Sequence, residues 1–197
     1  MSDETDIMNG YEPPSRKSHN FAESAERSRQ LSYAPWWLDV YRRAFGSSLA
    51  SVVYVNNDGW AQRAGIDRVL TFNTGRIAYV DEKVREEVWS DIALEQWSDL
   101  ERQSPGWIQK PLACDYIAYA FVPSATCYLL PTLTLQRAWR LHGRDWVGQY
   151  QKIKAHNKYG GRSWTTLSIA VPIPVLMAAL NDAMKVVWSE GEEEQDS

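Results

Sequence analysis

Ile66-Asp67-Arg68-Val69-Leu70-Thr71-Phe72, then Asn73-Thr74-Gly75, then Ile77-Ala78-Tyr79-Val80-Asp81-Glu82-Lys83-Val84-Arg85 is the stretch that decides the fold. Its outer segments are rich in β-branched and apolar residues and read as strands, and Asn73-Thr74-Gly75 reads as the hairpin loop between them. Side chains alternate across a strand, so Asp81 and Lys83 share one face while Glu82 points away with Ala78, Val80 and Val84. Asp67 and Asp81 are 14 positions apart. A hairpin of that span brings the aspartate of the first strand beside the aspartate and lysine of the second.

Outward from the hairpin, the chain alternates helical and extended patterns. Phe21 to Tyr33 has helix-forming composition and is broken by Pro35. Trp36 to Phe45 reads as a helix with Trp37, Val40, Tyr41 and Ala44 on one stripe, ended by Gly46. Val52 to Val55 reads as a short strand before the turn Asn56-Asn57-Asp58-Gly59. Asp91 to Trp97 is assigned to a third strand of a meander, with Ser90-Asp91 as the break before it. Tyr116 to Val122 and Thr126 to Leu130 form a second strand pair around Pro123-Ser124. Leu133 to His142 and Trp146 to Ala155 read as two helices, Thr165 to Val171 as a strand, and Ile173 to Val187 as a closing helix. The order predicts an α/β fold, a central mixed β-sheet flanked by helices. Residues 21–189 form one domain on this reading, after a polar, disordered segment 1–20 and before an acidic tail 190–197.

Composition narrows the function classes. The chain is 44% hydrophobic and 23% charged, as a soluble globular protein is. Its net charge is −4, yet nine of its acids lie in residues 1–15 and in the last eight. Without them 16 acids face 21 Lys and Arg, so the body is about +5, compatible with a nucleic-acid partner. Cys114 and Cys127 lie in apolar runs and read as reduced, buried thiols rather than a disulfide framework or a zinc site. His19, His142 and His156 show no metal-ligand spacing. No signal peptide or membrane span is read, so a cytoplasmic protein is expected.

The hairpin trio has a chemical use. Mg²⁺ takes oxygen ligands, commonly one or two carboxylates with several waters. Asp67 and Asp81 would supply the carboxylates, and the main-chain carbonyl of Glu82 a third oxygen. A water activated by the cation would be aimed at a phosphorus atom. Lys83 would orient that water or stabilise charge growing on phosphate oxygens.

An acidic residue, a gap, then Asp or Glu, any residue and Lys on a hairpin resembles the PD-(D/E)XK nuclease superfamily, here as Gly65-Ile66-Asp67 and Asp81-Glu82-Lys83. Ile66 stands where that pattern has proline and costs no ligand. Asn57-Asp58-Gly59-Trp60-Ala61-Gln62, Gly106-Trp107-Ile108, Cys114-Asp115-Tyr116-Ile117-Ala118-Tyr119, Cys127-Tyr128-Leu129-Leu130-Pro131 and Ala170-Val171-Pro172 look like phage and prophage members. The resemblance runs from about residue 36 to 180. It implies a restriction-endonuclease-like core and a Mg²⁺-dependent nuclease, with Mn²⁺ able to substitute, acting on DNA. It also implies an acid from a preceding helix. Asp39 is the candidate, with Glu23 or Glu26 behind it, against a surface pairing of Asp39 with Arg42 or Arg43. Glu95 is a further candidate acid on the third strand, against an exposed strand charge. Gln62 is placed near the site by the resemblance alone.

Between Arg137 and Arg162 the cations Arg137, Arg140, Arg144, Lys152, Lys154, Lys158 and Arg162 interleave with Trp139, Trp146, Tyr150 and Tyr159, and only Asp145 opposes them. Cations bind phosphates and aromatics stack on bases. The competing reading is two amphipathic helices with aromatics in the core and cations in solvent. Two other functions stay open: a non-catalytic nucleic-acid-binding protein on the same fold, and a phage-encoded inhibitor that uses the acidic tail. Duplex, single-stranded or branched DNA, RNA as a substrate, and oligomeric state are left undecided by the sequence.

Overall fold

The computed structural model describes Arg27 and residues 30–55, 64–181 and 183–189. The strands are β1 (Leu49–Tyr54), β2 (Arg68–Phe72), β3 (Ile77–Arg85), β4 (Asp91–Asp99), β5 (Ser104–Pro105), β6 (Tyr116–Phe121), β7 (Thr126–Pro131), β8 (Lys152–Tyr159), β9 (Arg162–Pro172) and β10 (Met184–Val187). The helices are α1 (Trp36–Phe45), α2 (Thr132–Gln149) and α3 (Ile173–Ala179). This is an α/β protein. One mixed sheet runs β1-β2-β3-β6-β7-β10, and a second of four strands runs β5-β4-β9-β8.

Two cores fix the layers. The periodic stripe of α1 puts Trp37, Val40 and Tyr41 against Ala78, Val80, Ala118 and Leu129 on one face of the six-stranded sheet. The other face, through Ile117, Tyr119, Phe121 and Leu130, packs on Ile92, Leu94, Ile169 and Val171 of the second sheet and on Leu135 and Trp139 of α2. β6 and β7 lie inside the sheet and are buried almost continuously, as strands covered on both faces are. No helix of the described residues is long and apolar enough to cross a membrane.

The β2–β3 hairpin, β6–β7 pair and α1 stand where the sequence puts them. Cys114 and Cys127 are free and buried. Four readings are corrected. β4 exists but does not extend a meander: the edge of β3 opposite β2 is taken by β6 in parallel, and β4 pairs with β9 in the other sheet. Leu133–His142 and the first part of Trp146–Ala155 are one helix, because Gly143 continues α2 and leaves room for the Trp139 ring, 3.0 Å from where a Cβ would stand. The remainder, from Lys152, is strand β8, paired with β9 through the Gly160-Gly161 turn. The closing helix stops at Ala179, and Met184–Val187 is a strand on β7 that buries Val186. Helical backbone is present at Arg27 and 30–32, while the rest of 21–29, the turn 56–59, residues 1–20 and the tail 190–197 lie outside the described residues.

Candidate metal and active site

The register of β2 on β3 places the site. Arg68 is opposite Val80 at the end of the paired register, and Asp67, one residue before it, is held against the Val80–Glu82 stretch of β3 by two hydrogen bonds. The Asp67 N–H donates to the Val80 carbonyl (2.8 Å), and the Glu82 N–H donates to Asp67 Oδ2 (2.7 Å). Gly65, in the left-handed region at φ 68°, makes the turn into this position, where a Cβ would lie 3.9 Å from Asp81 Oδ2.

Asp81, Lys83 and Arg85 follow one another on the inner face of β3, opposite Ile117, Tyr119 and Phe121 of β6. Lys83 Nζ donates to Asp81 Oδ1 at 2.6 Å, with the Asp81 side chain 7% exposed. Burial pushes the Asp81 carboxyl up to about 6. Lys83 opposes that shift, and the charge of Asp67 and its hydrogen bond add to it. Burial draws the Lys83 ammonium down, but Asp81 and Asp67 outweigh it and hold the group above its usual range. Two carboxylates held together with one proton unfavourably lost is a setting that a cation relieves.

Glu82 has gone to the other face. Its Oε1 accepts from Tyr41 Oη and Arg68 Nε, both at 2.8 Å, and its Oε2 has no partner among the described residues. Burial lifts its carboxyl to about 7 against the pull of Arg68. The Glu82 side chain is therefore no metal ligand for this site, and only its main-chain oxygen remains a candidate.

Glu95 sits where β4 carries a bulge, with the register shifting between Glu95 and Trp97. Its Oε1 accepts from the Trp107 N–H at 3.3 Å. Burial raises its carboxyl, moderated by that hydrogen bond and by the charges of Lys110, Lys83 and Arg85. Gly106 lies so close that a Cβ there would stand 2.1 Å from the Glu95 carbonyl oxygen. Arg85 is fixed by donating from Nε to Tyr119 Oη at 2.6 Å.

Asp39 is a correction. Its Oδ2 accepts from Arg43 Nε at 2.8 Å and from the Ser189 N–H at 3.3 Å. It belongs to α1, which covers the Val80 and Glu82 face, so the sheet separates it from Asp81. Glu23, Glu26 and Gln62 lie outside the described residues. Lys110, Arg85 and the Trp107 N–H were missed by sequence reasoning. Alternation along β3 was the available signal for Arg85, while the other two come from a loop with no periodicity to read.

The predicted basic region divides between elements. Arg137 and Arg140 are exposed on α2, Arg137 at a cavity of about 200 Å³ beside Leu141, His142, Ala179 and Asn181. Lys152, Lys154 and Lys158 are exposed on β8. Trp139 and Trp146 are buried in the core, so they offer no stacking surface.

Among the described residues no group of three or more His, Cys, Asp or Glu side chains is placed to hold a metal. The donor set is the Asp67–Asp81 pair, which suits a hard cation that keeps several waters and does not suit zinc. Comparison with known proteins finds no matching family model, no matching curated protein and no matching solved structure.

Proposed function

We propose that the chain is a divalent-metal-dependent nuclease that hydrolyses DNA phosphodiester bonds, a PD-(D/E)XK-type enzyme with a restriction-endonuclease-like core. The observation that carries the reading is Asp67 held beside Asp81 by its hydrogen bonds to Val80 and Glu82 of β3, with Lys83 Nζ at 2.6 Å from Asp81 on the same strand. A mixed sheet with α1 on one face supports the core assignment.

Bound Mg²⁺ would supply Lewis acidity to a phosphate oxygen and to the attacking water. Asp67 and Asp81 would hold the cation. Asp67 is aimed by the Glu82 N–H, which engages its Oδ2. Lys83 stays protonated beside Asp81 and donates to the water or to the phosphate oxygen on which charge grows. The water oxygen bonds to phosphorus, the bond to the leaving sugar oxygen breaks, and a proton passes to that oxygen. Glu95, held by the Trp107 N–H, stands as a further acid at the edge of the site.

The test is cleavage of labelled duplex, single-stranded and branched DNA by the full chain with Mg²⁺ or Mn²⁺. Cleavage is expected with either ion, none in chelator, and none in Asp67→Asn, Asp81→Asn or Lys83→Ala. Undiminished cleavage in excess chelator would falsify the assignment.

A further inference from the structure

β9 pairs with β4 only through Leu167 to Pro172, whereas it pairs with β8 from Arg162 to Ile169. The hairpin therefore runs past its sheet as a two-stranded ribbon, Ala155 to Tyr159 against Arg162 to Thr166. Gly160 and Gly161, both at positive φ (55° and 77°), form the two-residue turn at its tip. The ribbon is braced on its β9 side. Arg162 pairs with Asp99 (3.3 Å), the Leu100 N–H donates to the Thr165 carbonyl (2.8 Å), and the Thr165 N–H donates to Glu101 Oε2 (3.1 Å). Its β8 side is the outer edge of the sheet.

Along that edge, strand alternation collects charge of one sign. Lys152, Lys154 and Lys158 stand on one face, opposite Ile169, Leu167 and Ser163, with the imidazole of His156 between them opposite Thr165. All four are exposed. Among the described residues none of the three lysines has a carboxylate within ion-pair distance, whereas the nearby acids Asp99 and Glu101 are engaged on the β9 side. From Lys152 to Lys158 the row spans about 20 Å at 3.3 Å per residue.

We propose that the β8 edge is the surface by which the protein holds double-stranded DNA: the projecting ribbon with Lys158 enters the major groove, and Lys152 and Lys154, on the stretch of β8 still backed by the sheet, continue the lysine row along the phosphates of one strand. The proposal rests on the nuclease reading for its partner and deepens it by naming the duplex as substrate class. A two-stranded ribbon fits the major groove, about 12 Å wide. A row of about 20 Å follows about six base pairs at a rise of 3.4 Å. The charge is opposite to that of the groove walls. Lysines on an edge strand also block strand addition between copies, and the experiment separates that role from this one.

Binding of the full chain to a 20-base-pair duplex and to the matching single strand is measured by anisotropy in chelator, from 50 to 200 mM salt (roughly the range over which phosphate contacts are read). Loss of three phosphate contacts lowers the duplex salt slope by about 2.7, so wild-type affinity should fall about fortyfold more over that range than that of Lys152→Ala/Lys154→Ala/Lys158→Ala. Lys152→Glu/Lys154→Glu/Lys158→Glu keeps the edge charged and should lose duplex binding further while staying monodisperse. An unchanged slope, tighter binding of the single strand, or an Ala variant that self-associates beside a Glu variant binding like wild type would each overturn the proposal. Because chelator removes cleavage from the measurement, a wild type that binds duplex through the row but never cuts leaves the arm standing and defeats the nuclease reading. A triple Ala variant that still cuts with Mg²⁺ and keeps the wild-type salt slope does the reverse.

Discussion

Metal-free protein should lose stability as pH rises from 5 to 8, and Asp81 and Glu82 set how much. The folded carboxyl of Asp81 is raised from 3.8 to about 6, and that of Glu82 from 4.5 to about 7. A carboxyl raised by folding contributes stability that is fully present below its unfolded pKa and is lost as pH climbs through its folded pKa. Between pH 5 and 8 the linkage relation gives a loss of about 1–2 kcal/mol for Asp81 and about 2–3 kcal/mol for Glu82, a few kcal/mol together. Lys83 is raised above its usual value and stays charged throughout, so it adds no slope in this window. Urea denaturation in chelator at pH 5, 6, 7 and 8 reads the sum. Asp81→Asn should retain the larger share of the loss, about 2–3 kcal/mol, and Glu82→Gln the smaller, about 1–2 kcal/mol, since each removes one titrating group. At pH 8 Asp81→Asn should be at least as stable as wild type, because the ionised form is the one the fold disfavours. A merely structural Asp81–Lys83 pair would instead lose about 3–5 kcal/mol on that substitution. Mn²⁺ should restore wild-type stability at pH 8 and do little for Asp81→Asn, as a ligand that binds only the folded state requires. Equal wild-type stability at pH 5 and 8, or a full slope remaining in Asp81→Asn, refutes the reasoning.

Three other outcomes are expected. Gly106→Ala forces a methyl to within 2.1 Å of the Glu95 carbonyl oxygen, so urea midpoints should show destabilisation of about 1–3 kcal/mol or more, and residual cleavage should fall toward that of Glu95→Gln. Arg68→Ala leaves Glu82, 1% exposed at its side chain, without its cation, and should cost about 3–5 kcal/mol, whereas Arg68→Met with Glu82→Leu should restore most of it. Asp39→Asn removes an exposed i,i+4 pair with Arg43 and should change stability by less than about 0.5 kcal/mol with cleavage unaffected; a loss of metal-dependent activity would return Asp39 to the site.

What the sequence made legible was local. The β2–β3 hairpin has a turn and two β-branched runs within twenty residues or so, and its alternation alone separates Asp81 and Lys83 from Glu82. The stripe of α1 is equally local. β8 was legible only in part: Lys152, Lys154, His156 and Lys158 alternate with Ile153, Ala155 and Tyr159, a period of two broken at Asn157, and the helical reading of Trp146 to Ala155 overran its start. Its strand state comes from pairing with β9, which local propensity does not encode. The partner of β4 was hidden for the same reason, since Asp91 meets Pro172 and Glu95 meets Ser168 across more than seventy residues.

Asp39 shows where local reading stops and what would have completed it. Parity along β3 puts Asp81 and Glu82 on opposite faces, whichever way the sheet is covered. Once α1 is known to lie on Val80 and to give Tyr41 to Glu82, every side chain of α1 is on the wrong side of the sheet from Asp81. The missing fact is which face α1 covers. Tyr41 and Glu82 carry that fact: a helix stripe whose single phenol lies among apolar residues needs a hydrogen-bond partner, and a strand carboxylate among Ala78, Val80 and Val84 needs a donor. Each solves the other's burial, with Arg68 of β2 neutralising the charge. A further acid on the Asp81 face therefore has to come from the opposite layer. Among the described residues the structure offers Glu95 of β4 there, on a bulge and within reach of the charge of Lys83.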